Sequence, residues 1–359
     1  MTEKFKSLYA YAKLHRRHLP TVALIAGFLW DSLTLGRPDQ LFDNAVILFY
    51  LTVAGVCIGL LTRHRERGST SRLPIVLIFQ FAIGNLSSGL FVLYGVSGTL
   101  VGNWPFLLFL AALLIGNEFL RDRYDKTTFR IIIFYVLLLS YLILSLPVAL
   151  REMGAGVFLA SGFLSVIFIA GFVVWLHFLA PKVVAASKST ITAWVATILV
   201  LFNILYFTHL IPPVPLALRD IGIYHFVERN PSGNYTVSFE KPKWFEFFKS
   251  SDRVFHRKVS EKAYCFSSVF APARLTTPIY HVWEYYDEEE EKWVERSRIS
   301  FGIIGGRDEG FRGFSENGVL TDGRWRCSVK TDRGALIGRR DFVVSRDTKA
   351  EVELIQAVR

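Results

Sequence analysis

Five side chains in the last third of the chain could together bind a small anion or a sugar-like ligand. They are His281, Trp283, Arg312, Ser315 and Trp325. An arginine can hold a carboxylate or a phosphate with two parallel hydrogen bonds, and a tryptophan offers a flat ring for stacking. The alternative is a histidine and tryptophans buried in a core, with an arginine that fixes a loop. The sequence leaves both interpretations open.

The same region has no pattern that predicts catalysis, a metal or a cofactor. Ser315 lacks the Gly-x-Ser-x-Gly setting of an activated serine. The acidic run Asp287–Glu291 lacks the alternating ligands and the glycine of a calcium loop, so we expect a solvated hairpin tip. Cys265 and Cys327 belong to no CxxC motif and to no Cys/His pair at zinc spacing. We therefore predict a protein that is not an enzyme and holds no metal or cofactor.

Two polar residues interrupt apolar segments, where polar groups are costly and mark candidate functional sites. Asp31 could be a proton or cation site, or a carboxylate near the membrane interface that pairs with Arg37 or caps the helix end. His177 has no evident carboxylate partner and is either a hydrogen-bonded packing residue or a ligand. If Asp31 lies in a transport pathway, the protein is a transporter or channel with its C-terminal domain as a gate.

The chain is 359 residues long and 52% hydrophobic. Its first part contains long apolar segments, whereas its last part has the composition of a soluble domain. A membrane span requires about 20 mainly apolar residues. We predict a cytoplasmic segment at 1–18 and a polytopic α-helical membrane domain at 19–211 with about seven transmembrane helices. The predicted spans are 19–36, 45–62, 73–96, 104–120, 131–150, 157–180 and 191–211.

The charges of the short loops predict the orientation of these helices, because cytoplasmic loops carry the excess of lysine and arginine. Fifteen basic residues fall in the N-terminal segment and in every second loop, against only Arg37 and Arg151 in the other loops. This pattern predicts a cytoplasmic N-terminus and, after seven spans, a C-terminal domain outside. The basic excess thus reflects membrane topology. The lipid bilayer is the expected partner, and nucleic acid is not.

The remaining sequence reads as a mainly β domain. We predict a connector at 212–252 with a short amphipathic helix over Lys243–Ser251, a β-sandwich at 253–346 and a tail at 347–359. Runs of β-branched and aromatic residues, broken by glycine, proline and aspartate, predict the strands. These strands are Lys262–Ala271, Pro278–Tyr286, Trp293–Ile304, Arg324–Thr331 and Leu336–Val344, with an earlier one at Tyr235–Glu240.

The order of Cys265, Trp283 and Cys327 along these strands resembles that of the immunoglobulin sandwich. In that fold a disulfide bridges two sheets beside a buried tryptophan. The resemblance implies a disulfide between Cys265 and Cys327, which an extracytoplasmic compartment would permit. The alternative is two unpaired buried thiols.

An ordered set of short motifs resembles a known family over roughly 262–344. The motifs are His281-Val282-Trp283, Gly305-Gly306-Arg307, Phe311-Arg312-Gly313-Phe314-Ser315, Gly323-Arg324-Trp325-Arg326 and Phe342. They are similar to DUF2914, a bacterial domain of unknown function commonly found after a set of membrane helices. We therefore expect a bacterial inner-membrane protein whose periplasmic domain binds an unknown ligand or envelope protein, in a sensory or envelope-interaction role.

Overall fold

The computed structural model describes residues 28–35, 39–68, 73–119, 126–241, 250–258, 261–272, 276–304, 310–346 and 353–359. The chain divides into two compact units. A helical unit contains Met1–Val96, Asn103–Leu150 and Gly154–Ile211. A β-rich unit contains Pro212–Arg359 together with the short segments Ser97–Gly102 and Arg151–Met153.

Seven helices occur in the described part of the helical unit, one in each apolar segment of the sequence. They are α1 (28–34), α2 (Leu41–Glu66), α3 (Leu73–Ser97), α4 (Leu100–Phe119), α5 (Thr127–Leu150), α6 (Ala155–Leu179) and α7 (Pro181–Phe207). By length and composition, α2, α3, α5, α6 and α7 could each cross a membrane. The apolar part of α4 is shorter, and most of the predicted span 19–36 lies outside the described residues. Seven spans thus stay a prediction.

The helix α5 forms the centre of this unit, because 72% of its most apolar window is buried against 17% for α7. A few polar groups fix the helices to one another. The Tyr94 hydroxyl on α3 donates to the Ser140 carbonyl on α5 over 2.7 Å. The Asn103 side-chain amide on α4 donates to two carbonyls just beyond α7, those of His209 and Leu210. The two Asn103 bonds satisfy carbonyls that the end of α7 leaves open.

The β-rich unit has eleven strands in its described residues. They are β1 (Ala217–Tyr224), β2 (Phe226–Arg229), β3 (Tyr235–Glu240), β4 (Val254–His256), β5 (Ala263–Phe270), β6 (Thr276–Asp287), β7 (Lys292–Ile304), β8 (Phe311–Asn317), β9 (Gly323–Thr331), β10 (Leu336–Ser345) and β11 (Leu354–Val358). They form three sheets, with the orders β1-β5-β8, β4-β10-β9-β6-β7 and β11-β3-β2.

The sheet β1-β5-β8 is the central layer of this unit, because consecutive residues of a strand face opposite sides. Ile223 and Cys265 pack into a core shared with the five-stranded sheet. Their neighbours Tyr224 and Phe266 pack against the sheet β11-β3-β2 on the other side. The described strands therefore stack in three β layers, with hydrophobic core on each side of the central sheet.

All six predicted strands are present, but the β-rich unit extends beyond the predicted sandwich at 253–346. The connector at 212–252 supplies β1, β2 and β3, and the tail at 347–359 supplies β11. The tight hairpin between β9 and β10 turns at Gly334, whose φ of +85° suits glycine. The predicted amphipathic helix over Lys243–Ser251 lies outside the described residues except for its last two positions.

Candidate functional site

Three of the five predicted ligand-binding residues form a buried hydrogen-bonded network between two sheets. His281 and Trp283 lie two positions apart on β6, so both point from the same face into the core, and both side chains are fully buried. Ser315 on β8 approaches from the central sheet, and its Oγ lies 2.9 Å from His281 Nδ1. The same Oγ accepts a hydrogen bond from Trp283 Nε1 over 3.0 Å. Ser315 is also buried, so the network is closed to solvent within the described part of the chain.

His281 bridges the two sheets through both of its ring nitrogens. Its Nε2 lies 2.7 Å from the Oγ of Ser267 on β5, opposite the contact with Ser315. Burial lowers the pKa of His281 to about 3, so the imidazole is neutral at physiological pH. A neutral imidazole with one donor and one acceptor nitrogen matches two serine hydroxyls. The geometry therefore accounts for His281 as a satisfied polar group within the core.

A disulfide lies beside this network and joins the same two sheets. Cys265 on β5 and Cys327 on β9 are bonded to each other, and both are fully buried. Trp283 is the β6 neighbour of Cys327 in the sheet register. Cys57 in α2 is a buried cysteine with a free thiol.

The other two predicted residues, Arg312 and Trp325, have other hydrogen-bond partners. Arg312 is on the face of β8 opposite Ser315, and its Nη1 donates to Asn234 Oδ1 over 3.3 Å. Trp325 is buried against Tyr285, and its Nε1 donates to the Thr321 carbonyl. The five residues therefore do not line a common cleft in the described structure.

A different set of residues forms a cationic and aromatic cluster on the face of the five-stranded sheet opposite the disulfide core, where Arg324 is exposed and the Arg326 side chain is 12% exposed. We call it the arginine–aromatic face, and it consists of Tyr286, Trp293, Arg324, Arg326 and Arg339. The Tyr286 and Trp293 rings on β6 and β7 lie 5.1 Å apart. The guanidinium of Arg324 lies 4.4 Å from the Tyr286 ring, and that of Arg326 lies 3.4 Å from the Trp293 ring. Both distances are within the range of cation–π attraction.

The arginine–aromatic face carries more positive than negative charge. Arg326 and Arg339 share one carboxylate, that of Asp341, at 3.4 and 3.9 Å from their Nε atoms. Arg324 is exposed and lies over the Tyr286 and Trp293 rings. The next arginine on the sheet, Arg298, is neutralised by two hydrogen bonds of 2.9 Å to Glu295. Positive charge is therefore concentrated at β9 and β10.

This part of the molecule is similar to a known family. Residues 276–344 match the DUF2914 family model. The family is described as "Protein of unknown function (DUF2914)", which confirms the predicted resemblance and assigns no activity. The DUF2914 segment covers β6 to β10, and so holds His281, Trp283, Ser315 and the whole arginine–aromatic face.

No curated protein matches the chain. A solved structure, "Pseudomonas fluorescens alkylpurine DNA glycosylase AlkC bound to DNA containing an abasic site analog", is similar at 10% sequence identity and a TM-score of 0.22. The match covers 86% of this chain and 100% of that chain. At this TM-score the likeness carries no argument about fold or function.

A second polar cluster lies outside the DUF2914 segment, around the buried imidazole of His225. His225 Nδ1 donates to Glu261 Oε1 over 2.7 Å, and its Nε2 lies 3.5 Å from Glu240 Oε1 and 3.6 Å from Asp252 Oδ2. The ring stacks on Phe255 at 4.2 Å. The sequence analysis missed this cluster, because its residues come from four separate strands and loops.

The charges in this second cluster shift one another's pKa values. Burial acts to lower the pKa of His225, but the carboxylates of Glu240, Glu261 and Asp252 outweigh it and raise the pKa to about 9. Burial acts to raise the pKa of Glu240, but hydrogen bonds from His225 and His256 outweigh it and lower the pKa to about 2. His225 is therefore an imidazolium at neutral pH, held among carboxylates in the interior of the unit.

The two polar candidates of the helical unit, Asp31 and His177, differ in burial. Asp31 in α1 is 4% exposed, and its Oδ2 has no hydrogen-bond partner among the residues the structure describes. His177 lies exposed in the last turn of α6. Asp31 is thus the buried candidate of the two, and His177 is the exposed one.

Proposed function

We propose that this protein is an integral protein of the bacterial inner membrane that presents the DUF2914-containing unit in the periplasm as a binding module. The module recognises an envelope component that carries phosphate or carboxylate groups, and it binds this component on the arginine–aromatic face. The observation that carries the proposal is the stacking of Arg324 and Arg326 on Tyr286 and Trp293.

Stacking prepares these arginines for an anion. An aromatic ring covers the flat face of a guanidinium and leaves the N–H groups at its edge free to donate to a carboxylate or phosphate. It also restricts the side chain before binding, which lowers the entropic cost of holding the ligand. Arg324 and Arg326 are two positions apart on β9, so their backbone positions are about 7 Å apart. This spacing favours a ligand with more than one anionic group.

The location outside the cytoplasm is supported by three observations. The helical unit has five helices that are long and apolar enough to cross a membrane. The loop charges alternate as expected for a cytoplasmic N-terminus. The disulfide between Cys265 and Cys327 suits an oxidising compartment. We further propose that the two sheets it joins beside Trp283 form an immunoglobulin-like sandwich, to which the sheet β11-β3-β2 adds a third layer.

Thermal unfolding of the full-length protein in neutral detergent tests the proposal. The probes are envelope glycans, lipid headgroups, sugar phosphates and small carboxylates, each compared with a neutral analogue. A ligand at 100 times its Kd stabilises the folded state by about 2.7 kcal/mol, which is measurable as a rise in Tm. We expect anionic probes to raise the Tm, and the effect to weaken with salt because exposed charges are screened.

Variants place the site. The double variant Arg324→Gln/Arg326→Gln is expected to weaken binding of a stabilising anion at least tenfold, since each hydrogen bond to a charged group contributes about 1.5–3 kcal/mol. Arg298→Gln is the matched control, because Glu295 already neutralises Arg298 on the same sheet. Equal affinity in the double variant and the wild type, or no shift with any anionic probe, would contradict the proposal.

The burial of Asp31 favours one second candidate function, a transporter or channel with the β-rich unit as a gate. Its unsatisfied Oδ2 would be a proton or cation site in the pathway. In that case proteoliposomes with the Asp31→Asn variant lose a proton or cation flux that the wild type shows at equal protein content. Absence of any such flux with the wild type would remove this candidate.

A further inference from the structure

Three potential metal ligands meet in the core of the β-rich unit. The ligand atoms of Cys265, His281 and Cys327 all lie within 4.8 Å of one another, and all three residues are fully buried. They come from β5, β6 and β9, so their spacing in the sequence does not match a metal-binding motif. In the disulfide form the sulfur atoms are bonded to each other and offer no thiolate.

We propose that reduction of the Cys265–Cys327 disulfide converts this cluster into a binding site for a divalent metal ion of the zinc type. A dithiol or phosphine reductant supplies two electrons, and two protons are taken up as the sulfur–sulfur bond breaks to give two thiols. Metal binding then releases these two protons, because each sulfur coordinates as a thiolate. The site therefore exists only in the reduced protein.

The donor set suits zinc. Two thiolates and one imidazole are ligands that Zn²⁺ takes in tetrahedral sites, at about 2.3 Å for sulfur and about 2.0 Å for nitrogen. A thiolate pair also discriminates against hard cations such as Mg²⁺ and Ca²⁺, which prefer oxygen. Two sulfurs on one tetrahedral zinc are roughly 3.8 Å apart by this geometry. Once the disulfide bond is broken, the two sulfur atoms therefore need to move apart only to this distance.

The surroundings of His281 also suit a ligand. Each ring nitrogen has a serine neighbour, Ser267 at 2.7 Å and Ser315 at 2.9 Å. One nitrogen could turn from its serine to the metal, while the other keeps its hydrogen bond and holds the ring in place. Metal-bound histidines are commonly oriented in this way. The displaced serine hydroxyl or a water would complete a four-coordinate site.

The exchange would preserve the link between two layers of the unit. In the oxidised form a covalent bond joins β5 of the central sheet to β9 of the five-stranded sheet. In the reduced form a metal ion held by the same two cysteines would join them instead. The β-rich unit would thus respond to the redox state of its compartment by acquiring a metal.

Cobalt is the direct probe, because Co²⁺ takes the same ligands and its thiolate complexes absorb in the near ultraviolet. The experiment uses full-length Cys57→Ser protein in detergent, so that Cys265 and Cys327 supply the only thiols. Under anaerobic conditions with a phosphine reductant, we expect one equivalent of Co²⁺ to produce thiolate-to-cobalt absorption that Zn²⁺ abolishes. The oxidised protein should show none.

A variant and a stability measurement complete the test. His281→Gln keeps a polar side chain but removes the imidazole, and we expect at least a tenfold weaker Co²⁺ affinity. The matched control is His256→Gln, outside the cluster. Zn²⁺ should also raise the Tm of the reduced protein and leave that of the oxidised protein unchanged. Two free thiols without the cobalt band, or reduced protein that stays unfolded with Zn²⁺ present, would overturn the proposal.

Discussion

Trp283→Ala is expected to lower the free energy of unfolding of the β-rich unit by about 4 kcal/mol. Trp283 is fully buried and contacts the core around the disulfide, with its ring 6.1 Å from that of Phe342. The change removes one of the two tryptophans of this core and leaves a cavity that a disulfide-linked pair of sheets cannot close. It also removes the N–H group that donates to Ser315.

The measurement is denaturant unfolding of the full-length protein in detergent, followed by pulse proteolysis of the β-rich unit. For a unit of this size, a loss of about 4 kcal/mol corresponds to a fall in Tm of roughly 10 °C. The matched control is Trp293→Ala, since Trp293 is only partly buried on the arginine–aromatic face. If both variants lose the same stability, Trp283 is not the centre of the core that we describe.

His225→Gln is expected to lower the free energy of unfolding by roughly 3 kcal/mol near pH 6. This value follows from the raised pKa of His225, because each unit of pKa shift corresponds to about 1.36 kcal/mol. The folded state holds the imidazolium among three carboxylates and raises its pKa from 6.5 to about 9. Glutamine fills similar space but carries no charge, so Asp252 and Glu240 lose a buried cationic neighbour. Loss of one partner of a buried ion pair is costly because the other charge stays buried.

The sign of the pH dependence follows from this shift. The stabilisation by His225 is fully present below about pH 6.5, where the unfolded chain is also protonated, and it is lost as the pH rises through about 9. The pKa of Glu240 is lowered to about 2, so its contribution is present above about pH 4.5 and is lost as the pH falls through 2. These two groups stabilise the unit most between about pH 4.5 and 6.5.

Unfolding of the wild type and His225→Gln at a series of pH values from 6 to 10 measures this dependence. The wild type should lose stability across the range from 6.5 to 9, and the variant should lose much less. His256→Gln serves as control, because His256 touches the same oxygen of Glu240 but its side chain is 29% exposed. A wild type whose stability is level across that range would show that His225 is not held as an imidazolium.

The helical unit could be predicted from sequence because one local property, a long apolar run, forces the backbone to satisfy its own hydrogen bonds. Each predicted apolar segment contains a helix. The number of spans is harder to predict, because α4 has the composition of a span over only part of its length. The sequence placed Asp31 near the interface or in a pathway, and its burial depends on packing that no local pattern encodes.

The β-rich unit was predictable where strands are long and alternate, as for β6 and β9. The strands β1, β2, β4, β8 and β11 were missed, and local features of the sequence explain several of these misses. Arg219 and Asp220 make β1 resemble a polar connector, β4 has only three residues, and glycines flank β8. Missing β8 had a consequence for the site. Residues of odd and even number on a strand face opposite sides, so Arg312 and Ser315 could not share a cleft.

The arginine–aromatic face shows which feature of a candidate site cannot be predicted from the sequence alone. Alternation along β6 already predicts Tyr286 on the face opposite Trp283, and alternation along β9 separates Arg324 and Arg326 from Trp325. Placing these arginines beside Tyr286 and Trp293 requires the strand order β9-β6-β7. That order arises from pairing between strands far apart in the sequence, and no local sequence pattern predicts it.

The account depends most directly on the side of the membrane that the β-rich unit occupies. Fusions after Arg359 to alkaline phosphatase, which is active only outside the cytoplasm, and to a fluorescent protein that matures only inside measure this. We predict high phosphatase activity and no fluorescence, with the opposite pattern for fusions after Arg67. Fluorescence without phosphatase activity at Arg359 would place the unit in the cytoplasm and contradict its role as a periplasmic binding module.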